Sequence, residues 1–535
     1  MARTKKPETP QTTAQQLSSL IKSVRQILRK DKGLNGDLDR LPLLTWVMFL
    51  KFLDDLETRH AEEAELDGRP YEPLIDAPYR WRDWAARADG INGDELLAFI
   101  NQDEAIRPDG TRGPGLFAWL RAQAQRNGRD GQRAVIANVF RGVQNRMVSG
   151  YLLRDVLNKV NAIHFTASEE IHTLSHLYES MVREMRDAAG DSGEFYTPRP
   201  VVRFMVQVTD PQLDETVLDP ACGTGGFLVE AFDHLARQVK TTEQRETLQQ
   251  RTLYGQEAKP LPYMLAEMNL LLHGLEAPQI AYGNTLAQKL AEIGHEQRVD
   301  VVLTNPPFGG EEEAGIKANF PPTLQTSETA LLFLQYIMRK LRVADSPLPA
   351  GEGGPKGRVR VRDAERVRGG RAAVVVPNGT LFGDGVAAAI KKQLVEDFNL
   401  HTIVRLQQGV FAPYTDIPAN LLFFDRNGKT QDIWYYELPL PEGRKKYSKT
   451  APMQFEEFAE CLAWWRERKE GPQAWKASVA DIAQRGYNLD LKNPNAKQDL
   501  EHAAPAELVA RMRAHEGEAL RLIAEIEKLV GEVAA

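Results

Sequence analysis

The stretch that decides the fold class of this chain is Thr216-Val217-Leu218-Asp219-Pro220-Ala221-Cys222-Gly223-Thr224-Gly225-Gly226-Phe227-Leu228. Its apolar start predicts a buried strand, and the glycines predict a turn where the backbone passes close to a ligand. A helix is predicted to follow over 226–238, and its free N–H groups favour an electron-rich group. The stretch therefore predicts a strand–turn–helix unit of a ligand-binding sheet.

The same alternation of strand and helix continues on the carboxyl side of this unit. Strands are predicted at 216–219, 252–255, 279–282, 299–304, 371–376, 400–405 and 419–424, and helices at 226–238, 259–273, 328–342 and 385–397. Such alternation favours a parallel, doubly wound sheet. The last two strands look antiparallel and are expected to close its edge. The predicted fold is α/β, with a Rossmann-like, doubly wound, mixed seven-stranded sheet over residues 166–430.

Helical patterns predominate on both sides of the sheet region. Helices predicted at 14–30, 41–57, 94–101, 132–144 and 149–160 form an all-α domain over 14–165, after a disordered N-terminus at 1–13. A further helix is predicted from Ser168. After a C-terminal extension at 431–500, whose tryptophans are interpreted as core, the tail 501–535 holds a helix over 506–533. Its apolar residues recur at spacings of four and three, which predicts a coiled-coil seam for subunit assembly.

Composition limits the classes of function. With 535 residues the chain should form roughly three or four domains. The net charge of −7 argues against a whole surface built to bind phosphate backbones. Arginines are concentrated in a flexible basic loop at 343–371, interpreted as a solvated insertion, with phosphate contact as the alternative. No apolar run is long enough to span a membrane, the two cysteines are too few for a disulfide framework or zinc site, and we expect a cytoplasmic protein without metal.

The tetrapeptide Asn305-Pro306-Pro307-Phe308 follows the strand predicted at 299–304. Two prolines cannot continue a hydrogen-bonded ladder, so the chain must turn at the carboxyl edge of the sheet. There the Asn305 side-chain oxygen and the Pro306 carbonyl are acceptors, and Phe308 can stack on a flat ligand. This equipment suits a planar NH2 donor such as adenine. The alternative is an ordinary Asn-Pro turn with a core phenylalanine.

Two other strand ends carry candidate binding residues. Glu257 lies where a ribose diol would be held, although a carboxylate at a helix start is also often simply solvated. Asn284 and Thr285 follow the third strand, where the amide of Asn284 would border an adenine ring. An ordinary turn is the alternative for this segment.

These motifs, in this order, resemble those of the DNA amino-methyltransferases that use S-adenosylmethionine. The resemblance rests on Phe195-Tyr196-Thr197-Pro198, Asp219 to Gly225, Glu257, and Asn305 to Phe308. The helical N-terminal region, Leu177-Tyr178-Glu179 and Gly486-Tyr487-Asn488-Leu489-Asp490 narrow it to the modification (HsdM) subunits of type I restriction-modification systems. It implies an S-adenosylmethionine-dependent methyltransferase fold and a site-specific methyltransferase acting on N6 of a flipped-out adenine in DNA.

The resemblance also implies roles for individual residues. Phe195, Tyr196 and Thr197 would bind the methionine end of the cofactor, and Asp219 would lie under it together with Ala221, Gly223, Thr224, Gly225, Gly226 and Phe227. Glu257 would hold the ribose, and Asn284, beside Thr285, stands where the family usually has Asp near the cofactor's adenine. Asn305, which also borders the cofactor, would hold the target adenine with Pro306, Pro307 and Phe308.

The partners that the resemblance implies are double-stranded DNA, a specificity (S) subunit that reads the sequence, a restriction (R) subunit, and a second copy of the chain in an M2S1 assembly. Two alternatives stay open. The same acceptor geometry would serve an amino-methyltransferase of RNA or of a protein glutamine. The chain would otherwise be a catalytically silent scaffold that binds DNA or a partner.

Overall fold

A computed structural model describes residues 13–87, 90–125, 130–163, 197–344, 368–412, 415–448 and 450–495, with residues 513, 516–517 and 521–523 near the carboxyl end. Phe195, Tyr196 and the helix predicted from Ser168 lie outside these ranges. So do most of the basic loop at 343–371 and most of the terminal helix. The predictions made for those segments therefore remain predictions.

Helices make up most of the N-terminal region, as predicted. They span Thr13–Leu28, Asp37–Leu66, Trp81–Trp84, Gly93–Asn101, Leu116–Arg121, Asp130–Arg141 and Gly150–Asn161. The helix Asp37–Leu66 is buried nearly all round between Leu43 and Leu53, because its apolar residues occupy every face. It begins four residues before the predicted start, so Pro42 lies inside the helix rather than in its first turn. A hairpin of two short antiparallel strands, β1 (Ala105–Ile106) and β2 (Arg112–Gly113), interrupts this helical region.

The α/β region contains all seven predicted strands. They are β3 (Val217–Asp219), β4 (Leu253–Glu257), β5 (Gln279–Tyr282), β6 (Val301–Thr304), β7 (Arg371–Pro377), β8 (Asn399–Arg405) and β9 (Ala419–Asp425). The first five form the parallel array β5-β4-β3-β6-β7, and β9 enters antiparallel between β7 and β8. The predicted mixed sheet and its seven strands are therefore confirmed, although the sheet holds more strands than these seven.

Two additional strands from the C-terminal extension widen the sheet to nine strands. β10 (Asp432–Glu437) pairs parallel with β8, and β11 (Ala474–Ser478) pairs antiparallel with β10. The expectation that β8 and β9 close the edge of the sheet is wrong. β9 pairs with one side of β8, and β10 pairs with the other side. The Tyr435 and Trp475 rings stack across this pair with centroids 5.2 Å apart. Buried Trp475 confirms that aromatic residues of the extension belong to the core.

Helices cover both faces of the sheet, which is the doubly wound arrangement. One face packs on Arg199–Thr209, Gly226–Ala236 and Pro260–Leu272, and the other on Thr329–Lys340 and Val386–Asp397. Short helices at Thr242–Thr247, Ala314–Lys317, Ala459–Glu467 and Val479–Gln484 complete the described set. Met264, Leu265 and Met268 on the Pro260–Leu272 helix belong to the hydrophobic core of the N-terminal helices, so that region docks directly on the sheet domain. Among the helices in the described ranges, none is long and apolar enough to cross a bilayer.

Candidate active site

The candidate site lies at the carboxyl edge of the parallel strands. β3 pairs with β4 and β6, and β4 pairs with β5, all in parallel, so these four strands end at one edge. This arrangement places the segments that begin at Asp219, Glu257, Tyr282 and Asn305 side by side. Ligands of open α/β sheets bind at this edge.

Asp219 connects the glycine turn to the strand that carries Asn305. Its Oδ1 accepts hydrogen bonds from Thr304 Oγ1 at 2.7 Å and from Ala221 N at 3.1 Å. Burial raises the pKa of this carboxyl to about 7, aided by the charge of Glu257 and opposed by the two hydrogen bonds. Since Thr304 directly precedes Asn305, Asp219 fixes the relative position of the two loops.

The glycine turn forms as the sequence predicts. Gly225 has a φ of +79°, a conformation that glycine adopts without strain, and the helix Gly226–Ala236 starts directly after it. Cys222 N donates to Gln256 O at 3.0 Å, which ties the turn to β4. Asn269 Nδ2 donates to Thr224 O at 2.9 Å from the neighbouring helix. The turn is therefore held from two sides, and the Phe227 side chain points into the core below it.

Glu257 is held in the site by backbone donors. Its Oε2 accepts from Gly223 N at 2.9 Å, and its Oε1 accepts from Lys259 N at 2.8 Å. Burial raises the pKa of the Glu257 carboxyl, and these N–H donors oppose that shift. Each carboxylate oxygen keeps further acceptor capacity. The side chain is therefore a positioned acceptor rather than a freely solvated carboxylate.

Asn284 and Thr285 both belong to the turn after β5. Asn284 is exposed, and its Oδ1 accepts from Leu286 N at 2.9 Å, so its side chain caps the turn. Thr285 is buried, and its Oγ1 donates to Pro220 O at 2.5 Å. Thr285 thus anchors the segment to the glycine turn, while the amide oxygen of Asn284 is already used in the local turn.

The Asn305 amide is fixed on one side and unpaired on the other. Its Nδ2 donates to Thr197 Oγ1 at 3.0 Å. Its Oδ1 is buried and has no hydrogen-bond partner among the described residues. Pro306 is buried behind it, and the half-buried Phe308 ring packs edge-on to Phe411 with centroids 5.3 Å apart. An unpaired buried carbonyl beside an aromatic ring is suited to accept from an NH2 group of a flat ligand.

The structure brings Asp490, Arg405 and Asn378 together at this edge, and none of them was predicted to belong to the site. Asp490 accepts from Arg405 Nη2 at 2.7 Å and from Asn378 Nδ2 at 3.4 Å, at the ends of β8 and β7. Leu489 N donates to Leu381 O at 2.8 Å. The run Gly486 to Asp490, which forms part of the resemblance, is thus anchored to the carboxyl ends of two strands. The polar residues of this run are the sequence feature that could have indicated such an anchor.

Metal ligands are not grouped in the part of the chain that the structure describes. Within it, no three His, Cys, Asp or Glu side chains are arranged to hold an ion. Cys222, the thiol at the glycine turn, is buried, and burial raises its pKa well above the usual range, so it is not a reactive thiolate.

Two family models match the chain. The model described as HsdM N-terminal domain matches residues 17–160, and the model described as N-6 DNA Methylase matches residues 169–344 and 364–503. Together they cover the N-terminal helices, the sheet and the C-terminal extension.

Individual relatives agree with these matches. The chain is 45% identical to the methylase subunit of the type I restriction enzyme EcoEI from Escherichia coli, over 97% of this chain and 98% of that protein. A modification subunit from Vibrio vulnificus, assigned to a type I restriction enzyme, is 63% identical, with a TM-score of 0.83 over 92% of this chain and all of that one (100%). A chain from a solved type I restriction-modification assembly is 39% identical, with a TM-score of 0.70 over 98% of this chain and 99% of that one. The protein therefore belongs to the N-6 DNA methylase family, among the modification (HsdM) subunits of type I restriction-modification systems.

Proposed function

We propose that this chain transfers a methyl group from S-adenosylmethionine to N6 of an adenine flipped out of double-stranded DNA. The observation that carries the proposal is the buried Oδ1 of Asn305, which directly follows β6 beside Phe308 and has no hydrogen-bond partner in the part of the chain that the structure describes. A buried acceptor without a partner costs about 1 to 3 kcal/mol, so its persistence indicates a ligand that donates to it. An exocyclic amino group is such a donor.

The residues at the strand ends fit the proposed cofactor. Gly223 and Gly225 both have positive φ and no side chain to block a close approach. Glu257, held by two backbone N–H groups, offers oxygens to a ribose diol. Thr197, together with Phe195 and Tyr196, would face the methionine end, and Asn284 with Thr285 the adenine end. When bound, S-adenosylmethionine supplies an activated methyl group on its sulfonium.

The protein's own contribution to the reaction is to present the amino nitrogen. The N6 lone pair of adenine is delocalised into the ring, and acceptance of both N6 hydrogens by Asn305 Oδ1 and the Pro306 carbonyl would localise it. Phe308 would hold the ring by stacking, worth ~1 to 3 kcal/mol, which offsets the cost of flipping. Pro307 stiffens the turn between these groups. Correct placement then accounts for most of the rate.

Sequence recognition would reside in a separate S subunit. The described extension supplies β10 and β11 to the sheet and an aromatic core, which leaves little of it for reading bases. The proposed assembly has two copies of this chain on one S subunit, gripped in part by the helix predicted at 506–533, with R subunits added for cleavage. Deleting residues 506–535 should abolish assembly with S and leave cofactor binding intact; a complex that still forms would refute that role.

A methyl-transfer assay on competing substrates tests the reaction. The chain, purified with its S subunit, is incubated with radiolabelled S-adenosylmethionine and with DNA, RNA or protein. We expect the radiolabelled methyl group in DNA only. Label confined to RNA or to protein glutamine would establish the alternative reaction, and failure of the cofactor to bind in calorimetry would indicate a silent scaffold.

A further inference from the structure

A cavity lies at the amino edge of the sheet, opposite the edge that carries the candidate active site. It has a volume of about 700 Å³, and its lining includes the cations Lys289, Arg339 and Arg426 with one carboxylate, Asp397. Arg339 lies in the last turn of the helix Thr329–Lys340, and Arg426 directly follows β9, which runs antiparallel to β7. The length of β7 separates the two edges by about 20 Å. The cavity is therefore distinct from the Asn305 site.

Two arginines that line this cavity, Arg339 and Arg426, and a third that lies near them outside the lining, Arg298, have no carboxylate partner among the described residues. Arg339 Nε donates to Leu290 O and Arg426 Nη1 donates to Leu341 O, each at 3.1 Å, so the described hydrogen bonds of both side chains go to backbone carbonyls. Arg298, 6% exposed, has neither its Nε nor its Nη1 hydrogen-bonded. Buried guanidinium donors without partners are costly.

Two neighbouring arginines at the same edge have their charge balanced by a carboxylate. Arg342 Nε lies 2.7 Å from Asp300 Oδ1, and Arg371 Nη1 lies 2.6 Å from Glu215 Oε1. Arg342 and Arg371, which support the sheet, therefore each have a carboxylate partner, whereas the three arginines at the cavity have none among the described residues.

The unpaired arginines also lie close enough to influence one another. Burial lowers the pKa of Arg298 and of Arg426, and the neighbouring guanidiniums lower both further. Glu296 opposes the shift at Arg298, and Asp397 opposes it at Arg426, but neither forms an ion pair with these groups. Such a group of like charges is stabilised by a bound anion.

We propose that Arg339 and Arg426, with the nearby charge of Arg298, form a binding site for a phosphoryl group at the amino edge of the sheet. Guanidinium groups present planar pairs of N–H donors that match phosphate oxygens, and phosphate contacts of this kind are strong. The Arg426 guanidinium lies over the ring of Phe398, which also lines the cavity, 5.2 Å from the ring centroid. The cavity is large enough for a phosphate together with the group that carries it. A nucleic-acid backbone and a free nucleotide share this chemistry.

The test uses the full-length chain and inorganic phosphate as the probe. Phosphate is titrated by calorimetry, at an ionic strength held constant with chloride, into the wild type and the variants Arg339→Gln and Arg426→Gln. The matched control is Arg112→Gln, which removes an exposed arginine whose partner among the described residues is Glu104. We expect saturable binding that both cavity variants weaken at least about tenfold and the control leaves unchanged. Melting temperatures in chloride alone verify that each variant is folded.

Competition experiments identify the source of the phosphate. Displacement by a short DNA duplex supports a backbone phosphate, and displacement by a mononucleotide but not by duplex supports a free nucleotide. The site is refuted if phosphate does not bind beyond chloride, or binds equally to wild type and folded cavity variants. It is equally refuted if a glutamate-rich peptide binds there while phosphate does not, since a protein partner would then be the occupant.

Discussion

Asn305 Nδ2 donates a hydrogen bond of 3.0 Å to Thr197 Oγ1, across 108 positions of sequence. With the NH2 end of the amide occupied, the Oδ1 end is buried and has no hydrogen-bond partner within the described ranges. A terminal amide is otherwise free to rotate, so this contact selects the orientation in which the oxygen faces a ligand. If Asn305 holds the target base as proposed, Thr197 acts on that base through Asn305.

This relationship predicts different effects for two substitutions of Thr197. Thr197→Val keeps the shape but removes the acceptor, and we expect kcat to fall about tenfold, the equivalent of one hydrogen bond. Thr197→Ser keeps the hydroxyl and should stay close to wild type. Single-turnover methylation and calorimetric cofactor binding are measured on both. A loss of cofactor affinity with unchanged kcat would instead assign Thr197 to the cofactor alone.

Glu257 should control cofactor affinity. Glu257→Gln replaces one acceptor oxygen by an NH2 group that faces backbone N–H donors, so we expect the Kd for S-adenosylmethionine to rise on the order of 10- to 100-fold. Glu246→Gln is the control, because Glu246 is exposed on the short helix Thr242–Thr247. The Kd is measured by calorimetry on the folded variants. An unchanged Kd in Glu257→Gln would show that Glu257 does not bind the cofactor.

Asp219 should make stability depend on pH. Its folded-state pKa is raised to about 7 from 3.8, so the native state holds a proton that the unfolded chain has released, and this contribution to stability is lost as pH rises from about 4 to about 7. Asp219→Asn keeps an oxygen to accept from Thr304 and does not titrate. The melting temperature of the variant minus that of the wild type should therefore grow across this range and then level off. A difference independent of pH would contradict the assignment.

Phe308 should stabilise the flipped base. Phe308→Ala is expected to weaken base capture roughly 5- to 150-fold, the equivalent of the ~1 to 3 kcal/mol of stacking, whereas Phe308→Trp keeps an aromatic surface. DNA with 2-aminopurine at the target position reports extrusion by its fluorescence, measured with the S subunit present. Equal emission with wild type and Phe308→Ala would show that Phe308 does not hold the base.

The sequence predicted the elements that have local signatures. The seven strands β3 to β9 and the glycine turn follow from apolar runs bounded by breakers, and the structure has them within a few residues. Asn305 was identified because two prolines force a turn at a strand end. These features depend on neighbouring residues only, which is why a single sequence reveals them.

Long-range pairing was not predictable in the same way. β10 and β11 were missed because β10 pairs with β8, about 30 residues earlier, and β11 pairs with β10, about 40 residues earlier, and because their aromatic residues are equally compatible with a helical core. The capping role of Asn284 depends on the turn geometry after β5. Asp219 was assigned to the cofactor, and its bond to Thr304 follows only from the β3–β6 adjacency.

The most direct test of the proposed reaction is sequencing of modified bases in cells that carry this chain with its S gene, with Asn305→Ala as the matched control. We expect N6-methyladenine at one defined sequence in the first cells, and none in cells with Asn305→Ala or without the S gene. Methylation at another base or atom, or full N6-methyladenine with Asn305→Ala, would contradict it.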